Sequence, residues 1–143
     1  MVEVRLADSD ADRRTCLRLR WTVFVEEQHV PPSLEVDEHD SAGAVHALAL
    51  LDKVPAGAGR FVMLEPGVAQ IGRMAVVEDA RGKGIGAALL RFLEAEARRR
   101  GAKRLTLNAQ VSARRFYEKA GYRAQGGIFD DAGIPHVRME RSA

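Results

Sequence analysis

The chain has 143 residues, of which 46% are hydrophobic and 29% are charged, and its formal net charge is +2. This length suits one globular domain with a sizeable core, so we predict a single domain over residues 1–143. A basic excess this small does not indicate a nucleic-acid binder. Cys16 is the only cysteine, which excludes an intrachain disulfide and redox chemistry by a thiol pair. No apolar signal core follows Met1, and no stretch approaches the ~20 apolar residues of a membrane helix. We therefore expect a cytoplasmic protein without membrane contacts.

The N-terminal segment predicts a strand followed by a helix. Apolar and charged residues alternate over Val2–Leu6, which is the period of a half-buried strand. Asp8 and Ser9 are suitable caps for the helix that follows, whose apolar residues recur at helical spacing as far as about Phe24. Pro31-Pro32 predicts the end of regular structure.

The middle of the chain predicts three antiparallel strands. Residues 45–51 are apolar at nearly every position, which indicates a strand covered on both faces. Asp52-Lys53 provides a turn into a second strand, which ends between Arg60 and Leu64. A further turn at 65–67 leads to a third strand over residues 68–77. Turns this short favour antiparallel neighbours.

The second half predicts a helix between two parallel strands. The helix starts at Ile85 and ends before Gly101, and Glu94–Arg98 and Glu96–Arg100 are candidate ion pairs at i,i+4 spacing. The strands around it, at 68–77 and 105–109, then require a parallel crossover. A short helix through Tyr117 and a last strand pair at 122–129 and 134–139 complete the chain.

A basic, glycine-rich turn, Arg81-Gly82-Lys83-Gly84-Ile85-Gly86, lies between the third strand and this helix. Glycine permits positive φ and close backbone approach, and the first amides of a helix have no intrachain partner. With the helix dipole and two cations, the turn predicts a phosphate or pyrophosphate site. The Walker pattern is absent, and Ala87-Ala88-Leu89 fails the third glycine of the dinucleotide fingerprint. The alternative is a tight turn that needs glycine for geometry alone.

Several segments together resemble one enzyme family. Ile71–Val76 followed by Arg81–Gly86 looks like the central motif of the GNAT superfamily of N-acetyltransferases, and Phe116–Tyr122 resembles its downstream motif. Phe24–Gln28 and Gly133–His136 look like the small ElaA-like branch of that superfamily. The resemblance implies a mixed α/β domain: a twisted, mostly antiparallel sheet with splayed central strands and flanking helices.

The resemblance also implies acetyl-CoA as cofactor, with its pantetheine arm between the splayed strands. Backbone groups of Met74, Ala75 and Val76 would face that arm, and one of their amides would donate to the thioester carbonyl. Gln110 stands where relatives often have an asparagine that contacts the cofactor, and Asn108 is a second candidate. The pyrophosphate would be held by the residues of the loop and the first helical turn: Arg81, Gly82, Lys83, Gly84, Ile85, Gly86 and Ala87.

The catalytic residues follow from the same resemblance. Tyr117 matches the tyrosine that protonates the leaving thiolate, the alternative being a core aromatic beside Phe116. Many relatives carry a glutamate base on the fourth strand, but Gln70 occupies that position here and cannot accept a proton. Glu27 and His46 remain as candidate bases, directly or through water. Their alternatives are a solvated helix end and a structural histidine.

The function implied is acetyl transfer to a primary amine by direct attack, without a covalent enzyme intermediate. Phe24, Gln28 and His136 are predicted to contact the acceptor, a small-molecule or peptidyl amine. The acidic stretch Glu35–Asp40 would suit a cationic amine such as a polyamine or an amino sugar, unless it is simply a solvated loop.

Two other classes of function are weighed against this one. A non-catalytic acyl-CoA sensor is favoured by the missing strand carboxylate and opposed by Tyr117. A nucleic-acid binder rests only on Arg98-Arg99-Arg100, where no aromatic residues interleave and a solvated helix end is the simpler interpretation. We predict no metal site and leave a homodimer open.

Overall fold

The computed structural model describes residues 1–35 and 43–143. It contains a seven-stranded sheet with helices on both faces. The strands are β1 (Val2–Leu6), β2 (Val45–Leu51), β3 (Val54–Glu65), β4 (Val68–Val76), β5 (Arg104–Gln110), β6 (Arg123–Asp131) and β7 (Ile134–Ser142). The helices are α1 (Asp10–Arg20), a π-helical segment (Trp21–Glu27), α2 (Pro32–Glu35), α3 (Ile85–Arg99) and α4 (Arg114–Lys119). None of the described helices is both long enough and apolar enough to cross a bilayer.

The sheet is antiparallel except at one pair of strands. The spatial order is β1-β2-β3-β4-β5-β7-β6, and only the central strands β4 and β5 run parallel. Their pairing begins at Val68↔Arg104 and, among the described residues, ends at Ile71↔Leu107. Beyond that point β4 stays paired with β3 as far as Val76, while β5 stays paired with β7 as far as Gln110. The two central strands therefore separate, which confirms the predicted splay and the mixed α/β fold class.

The core has two layers because β2 is covered on both faces, as its sequence predicts. Ala47 and Ala49 pack into the larger cluster beneath α3, together with Leu89 and Leu93. The alternate residues Leu48 and Leu50 pack beneath α1, in a second cluster that includes Cys16 and Leu19. The two clusters cover both faces of the sheet. The gap between the separating ends of β4 and β5 is the opening that they leave.

The helix after β1 is longer and less regular than predicted. Ser9 caps it as expected, since its Oγ accepts a hydrogen bond from the Asp12 amide at 3.1 Å. Past Arg20 the chain does not stop at Phe24 but widens into a π-helix, closed by a bond of 3.0 Å from the Gln28 amide to the Val23 carbonyl. π-Helical turns are rare and concentrate at functional sites.

Two local predictions in this half are wrong. Pro31-Pro32 does not end regular structure, because Pro32 opens α2, a position where the missing N–H costs nothing. Glu35 is not part of a solvated loop: it ends α2 at 2% exposure, and its carboxylate accepts from Arg20 Nε at 2.6 Å. The rest of the predicted acidic loop, residues 36–40, lies outside the described residues.

Of the two ion pairs predicted on α3, one is present and the other is not. Glu96 accepts from Arg100 as expected and also from Arg99. Glu94, however, is buried, and its carboxylate accepts from the Tyr122 hydroxyl at 2.8 Å instead of pairing with Arg98. The i,i+4 rule failed here because Glu94 lies on the face of α3 that packs against the sheet.

Candidate active site

A cavity of about 530 Å³ occupies the space between the separating ends of β4 and β5. Among the described residues, its walls include parts of the π segment, α2, β3, β4, the end of β5 with α4, and the β6–β7 hairpin. The predicted site residues that line it are Phe24, Gln28, Met74, Ala75, Val76, Arg81, Asn108, Gln110, Tyr117 and His136. The structure thus brings residues from both halves of the sequence into one cavity.

A β-bulge shapes the β4 wall. Between the pairs Ala58↔Ala75 and Arg60↔Gly72, β4 contains one residue more than β3. Arg73 lies in this bulge with a φ of 52°, a left-handed conformation that is uncommon for any residue but glycine. Bulges bend a strand and redirect the residues after it. The bulge comes directly before Met74, Ala75 and Val76, all of which line the cavity.

The start of α3 has the features of an anion site. Gly84 is the N-cap residue, with a φ of 81° and no side-chain hydrogen bond to the helix, and Gly82 also has a positive φ. A Cβ built on either glycine would meet nothing within 4 Å, so the space in front of both is open. The first amides of a 15-residue helix therefore face open space, where the dipole favours negative charge.

Arg81, at the start of this loop, is held by the π segment and by the end of β4. Its Nη1 and Nη2 each donate to the Glu27 carboxylate at 2.6 Å, and its Nε donates to the Val76 carbonyl at 2.9 Å. The hydrogen bonds from Arg81 lower the pKa of the Glu27 carboxyl. The guanidinium thus joins the π segment to the end of β4, and its donors are directed toward protein groups and not toward the front of the loop.

Comparison with known proteins identifies this architecture. The family model described as an acetyltransferase (GNAT) domain matches residues 8–143. The chain belongs to the GNAT family of acetyltransferases. It is 36% identical over 135 residues to a Bacillus subtilis (strain 168) protein named uncharacterized N-acetyltransferase YjcF, covering 94% of this chain and 95% of that protein.

Solved structures agree with this assignment. Escherichia coli ElaA superposes with a TM-score of 0.86 at 28% identity, over 99% of both chains. An aminoglycoside 6′-N-acetyltransferase complexed with coenzyme A superposes with a TM-score of 0.74 over 99% of this chain and 96% of that one. At 16% identity the second likeness shows the shared fold alone. The predicted resemblance to the GNAT superfamily and to ElaA is confirmed.

Tyr117 lies on the α4 side of this GNAT cavity and is only 9% exposed. Burial raises the pKa of its hydroxyl to about 12, so the group keeps its proton throughout the physiological range. Phe116 and Tyr122 contact its ring edge-on, with centroids 5.0 and 5.9 Å away. The geometry combines both predicted alternatives, because the ring packs in the core while the residue borders the cavity.

The end of β5 contributes amide groups. Gln110 Nε2 donates to Gln28 Oε1 at 2.7 Å, which ties the end of β5 to the residue that follows the π segment. Asn108, two residues earlier on β5, also lines the cavity. Both predicted cofactor-contact residues therefore border the cavity, and Gln110 is engaged with a residue that was assigned to the acceptor.

Neither predicted base is found in the cavity wall. Among the described residues that line the cavity, Glu27 and His46 do not occur. Glu27 is bonded to Arg81, and a carboxylate with a lowered pKa is a weak proton acceptor at neutral pH. His46 is 7% exposed in the middle of the sheet, opposite Arg60 of β3. Catalysis by either residue stays a prediction that this geometry does not favour.

The structure adds wall residues that the sequence did not single out for the site. Arg60 and Arg73 line the cavity, and Arg73 Nε also donates to the Glu35 carbonyl at 3.0 Å. Asp131 and Ile134 line it from the β6–β7 hairpin. A basic residue in the middle of an otherwise apolar strand, as Arg60 is in β3, was the only available sequence signal.

Proposed function

We propose that this acetyltransferase uses acetyl-CoA and transfers the acetyl group to a primary amine by direct attack. The observation that carries the proposal is the cavity between β4 and β5, which reaches Arg81 at the mouth of the uncapped α3 N-terminus. An extended pantetheine arm would fill the space between the separated strands, and the pyrophosphate would lie on the helix amides. The coenzyme A complex of the aminoglycoside acetyltransferase supports this choice of cofactor.

The residues proposed to hold the cofactor divide into two groups. Backbone groups of Met74, Ala75 and Val76 would bind the arm, and one of their amides would donate to the thioester oxygen as negative charge grows there. Lys83 would add positive charge at the pyrophosphate, and Gly82 and Gly84–Ala87 would supply backbone amides. Arg81 would also contribute its backbone amide, while its side chain holds Glu27. Gln110 and Asn108 would contact the arm from β5. When bound, acetyl-CoA supplies an acyl group activated as a thioester.

Tyr117 is proposed as the acid. Its raised pKa keeps the proton available until the carbon–sulfur bond breaks, when the thiolate needs it. The tyrosine would therefore act late in the reaction and contribute mainly to the rate of chemistry.

Direct attack is preferred over a covalent enzyme intermediate because the one thiol in the chain is unsuited to the task. Cys16 is 1% exposed in the cluster beneath α1, and burial raises the pKa of its thiol to about 11. No cavity-lining residue of the described chain is a cysteine. The acceptor nitrogen would then attack the thioester itself, and Phe24, Gln28 and His136 would surround that nitrogen.

Release of free thiol from acetyl-CoA tests the proposal. The purified chain would be offered three primary amines of different class: spermidine, glucosamine and a peptide with a free α-amino group. We expect acceptor-dependent thiol release with at least one of them and a stoichiometric amide product by mass spectrometry. Tight acetyl-CoA binding by calorimetry without amide formation from any primary amine would overturn the proposal and favour an acyl-CoA sensor.

A further inference from the structure

We propose that His136 is the general base of the reaction, taking the proton of the attacking amine on its Nε2. The proposal rests on the proposed function, because it assigns a role at that same site. Neither predicted base, Glu27 or His46, is among the described residues of the cavity wall, and Gln70 stands where a strand carboxylate was expected. His136 is the histidine that does line the cavity in the part of the chain that the structure describes.

The hydrogen bond of the ring fixes its tautomer. His136 Nδ1 lies 2.7 Å from the carbonyl oxygen of Ile134. A carbonyl oxygen only accepts, so Nδ1 must carry the hydrogen, and the neutral ring then has its lone pair on Nε2. The same carbonyl also stabilises the ring after it has gained a proton. Orientation of one ring nitrogen by an acceptor, with the other free to take a proton, is the arrangement that a histidine base requires.

The position of the ring is also fixed. His136 on β7 pairs with Gln110 on β5 and with Phe129 on β6, and residues directly opposite one another share a face of the sheet. Phe129 stacks on the imidazole at 5.9 Å between centroids and an interplanar angle of 28°. Gln110 in turn bonds Gln28. The imidazole therefore lies where the end of β5 meets the residue that follows the π segment, on the predicted acceptor side of the cavity.

The other described ionisable groups of the cavity wall do not fill the role of general base. Glu35 accepts from the buried Arg20, so its carboxylate is already neutralised by a cation. Asp131 belongs to the hairpin that carries His136 and lines the same cavity. Among residues 1–35 and 43–143, the charged and titratable groups that border the cavity with His136 are Glu35, Arg60, Arg73, Arg81, Tyr117 and Asp131.

The step balances with these two residues. The lone pair of the neutral amine forms a bond to the thioester carbon, and the nitrogen gives up one proton to His136 Nε2. The carbon–sulfur bond breaks with its electron pair on sulfur, which takes the hydroxyl proton of Tyr117. The imidazolium then releases its proton to solvent and the tyrosinate regains one, so the products are an amide and a free thiol.

One test determines the tautomer of the His136 ring without measuring turnover. In the cofactor-free protein, two-bond proton–nitrogen correlation spectra distinguish a ring protonated at Nδ1 from one protonated at Nε2. The chain has four histidines, so the His136 signal is identified by its loss in His136→Gln. At a pH where the ring is neutral, we expect the hydrogen on Nδ1 and none on Nε2. The opposite tautomer would overturn the proposal.

A second test uses the pH dependence of turnover with whichever amine the wild type accepts. Both the amine and the imidazole must be unprotonated, so log kcat/KM should rise with a slope of about two on the acid side, falling to about one in His136→Gln. The variant should lose about a hundredfold in kcat/KM at neutral pH and keep its acetyl-CoA affinity. If the glutamine substitution disturbs the fold, His136→Asn, which keeps a donor near the Ile134 carbonyl, should show the same loss of rate and the same change of slope.

The control is His29→Asn, which replaces an exposed histidine whose positive φ asparagine accepts. It should leave the slope at the wild-type value. A folded His136 variant with wild-type rate and slope would refute the base while leaving the proposed function intact. A wild type that acetylates none of the amines would remove the proposed function, and this step with it.

Discussion

The proposed cofactor and acceptor regions of the site are built from different groups. In the proposed cofactor region the groups available are backbone amides, at the β4 bulge in the cavity wall and at the first turn of α3 beyond Arg81, where Gly82, Gly84 and Arg73 have positive φ angles. At the acceptor end the groups offered are side chains from the π segment, β5 and the β6–β7 hairpin. A backbone site is the same for every member that keeps its geometry, whereas a side-chain site changes with each substitution. The cofactor end thus suits a ligand common to the family, and the acceptor end suits one that differs.

The ends also differ in how they are attached to the core. The glycine loop continues directly into α3, whose residues fill the main core cluster. The proposed acceptor side is held by charged side chains. Arg20 forms a buried ion pair with Glu35, and Arg73 donates hydrogen bonds to the Leu34 and Glu35 carbonyls. Damage to these ionic contacts should therefore affect stability before it affects cofactor binding.

The largest effect is expected from Arg20→Met. Both partners of the Arg20–Glu35 pair are about 1% exposed, and removing the cation leaves a buried carboxylate without its guanidinium. Such losses cost about 3–5 kcal/mol, which urea denaturation would measure. Arg18→Met, on the exposed face of the same helix, should cost less than about 0.5 kcal/mol. Equal stability of the two variants would show that the pair does not anchor the acceptor side.

Gly84→Asp should come next and should act on the cofactor alone. The carboxylate would lie against the helix amides and repel the pyrophosphate, so acetyl-CoA affinity should fall well over tenfold, or more than about 1.4 kcal/mol. Gly84→Asn carries the same bulk and the same left-handed strain without the charge, and asparagine tolerates that conformation. Calorimetry should show a much smaller loss for asparagine. Unchanged affinity in a folded aspartate variant contradicts an anion site here.

Tyr117→Phe should reduce the rate of acetyl transfer by at least about tenfold and leave acetyl-CoA binding intact. An alkyl thiol has a pKa near ~8.5, so the thiolate can leave unaided, but less readily. The loss should appear in kcat, and single-turnover transfer at saturating acceptor isolates it from product release. Tyr122→Phe is the control, because that hydroxyl donates to Glu94 within the core. If both variants transfer at the wild-type rate, Tyr117 is a packing residue only.

The smallest effect is expected from Glu27→Gln. The pair with Arg81 is more than a third exposed, so its loss should cost at most about 1 kcal/mol. Because Arg81 lowers the pKa of the Glu27 carboxyl, the pair stabilises the fold above the ordinary glutamate pKa of about 4.3. As pH falls through the lowered value the wild type loses that contribution, which the variant lacks at every pH, and the unfolding free energies of the two proteins should converge. A variant that also lost turnover at neutral pH would restore Glu27 as the base.

The sequence predicts the local structure of the proposed cofactor region because the signals there lie close together in the chain. Glycine at 82 and 84 marks the positive φ values of the loop, and a run of apolar residues marks β2 as covered on both faces. The motifs Ile71–Val76, Arg81–Gly86 and Phe116–Tyr122, each a short run of adjacent residues, were enough to indicate the family. Each of these features depends on residues near one another in sequence.

The acceptor end was harder to predict because its contacts join residues far apart in the chain. Glu27 and Arg81 are 54 positions apart, and Gln28 and Gln110 are 82 apart. No local period reveals that Glu35 and Glu94 are buried, since the sequence predicts Glu35 in an acidic loop and Glu94 in an ion pair with Arg98. The tautomer of His136 depends on the backbone carbonyl of Ile134, which sequence alone does not place.

The bulge at Arg73 has a consequence for how the chain can vary. The extra residue lets Gly72 and Ala75 stay opposite Arg60 and Ala58 although they are three positions apart. Removal of one residue between them would leave these pairs in place but convert the bulge into a regular ladder, with loss of the left-handed residue and of the bend before the cavity wall. Replacement of a side chain here alters one contact, whereas a change of length alters the bend itself. Within this short stretch, natural variation should therefore consist of exchanges of residue type, with insertions and deletions confined to the turns on either side.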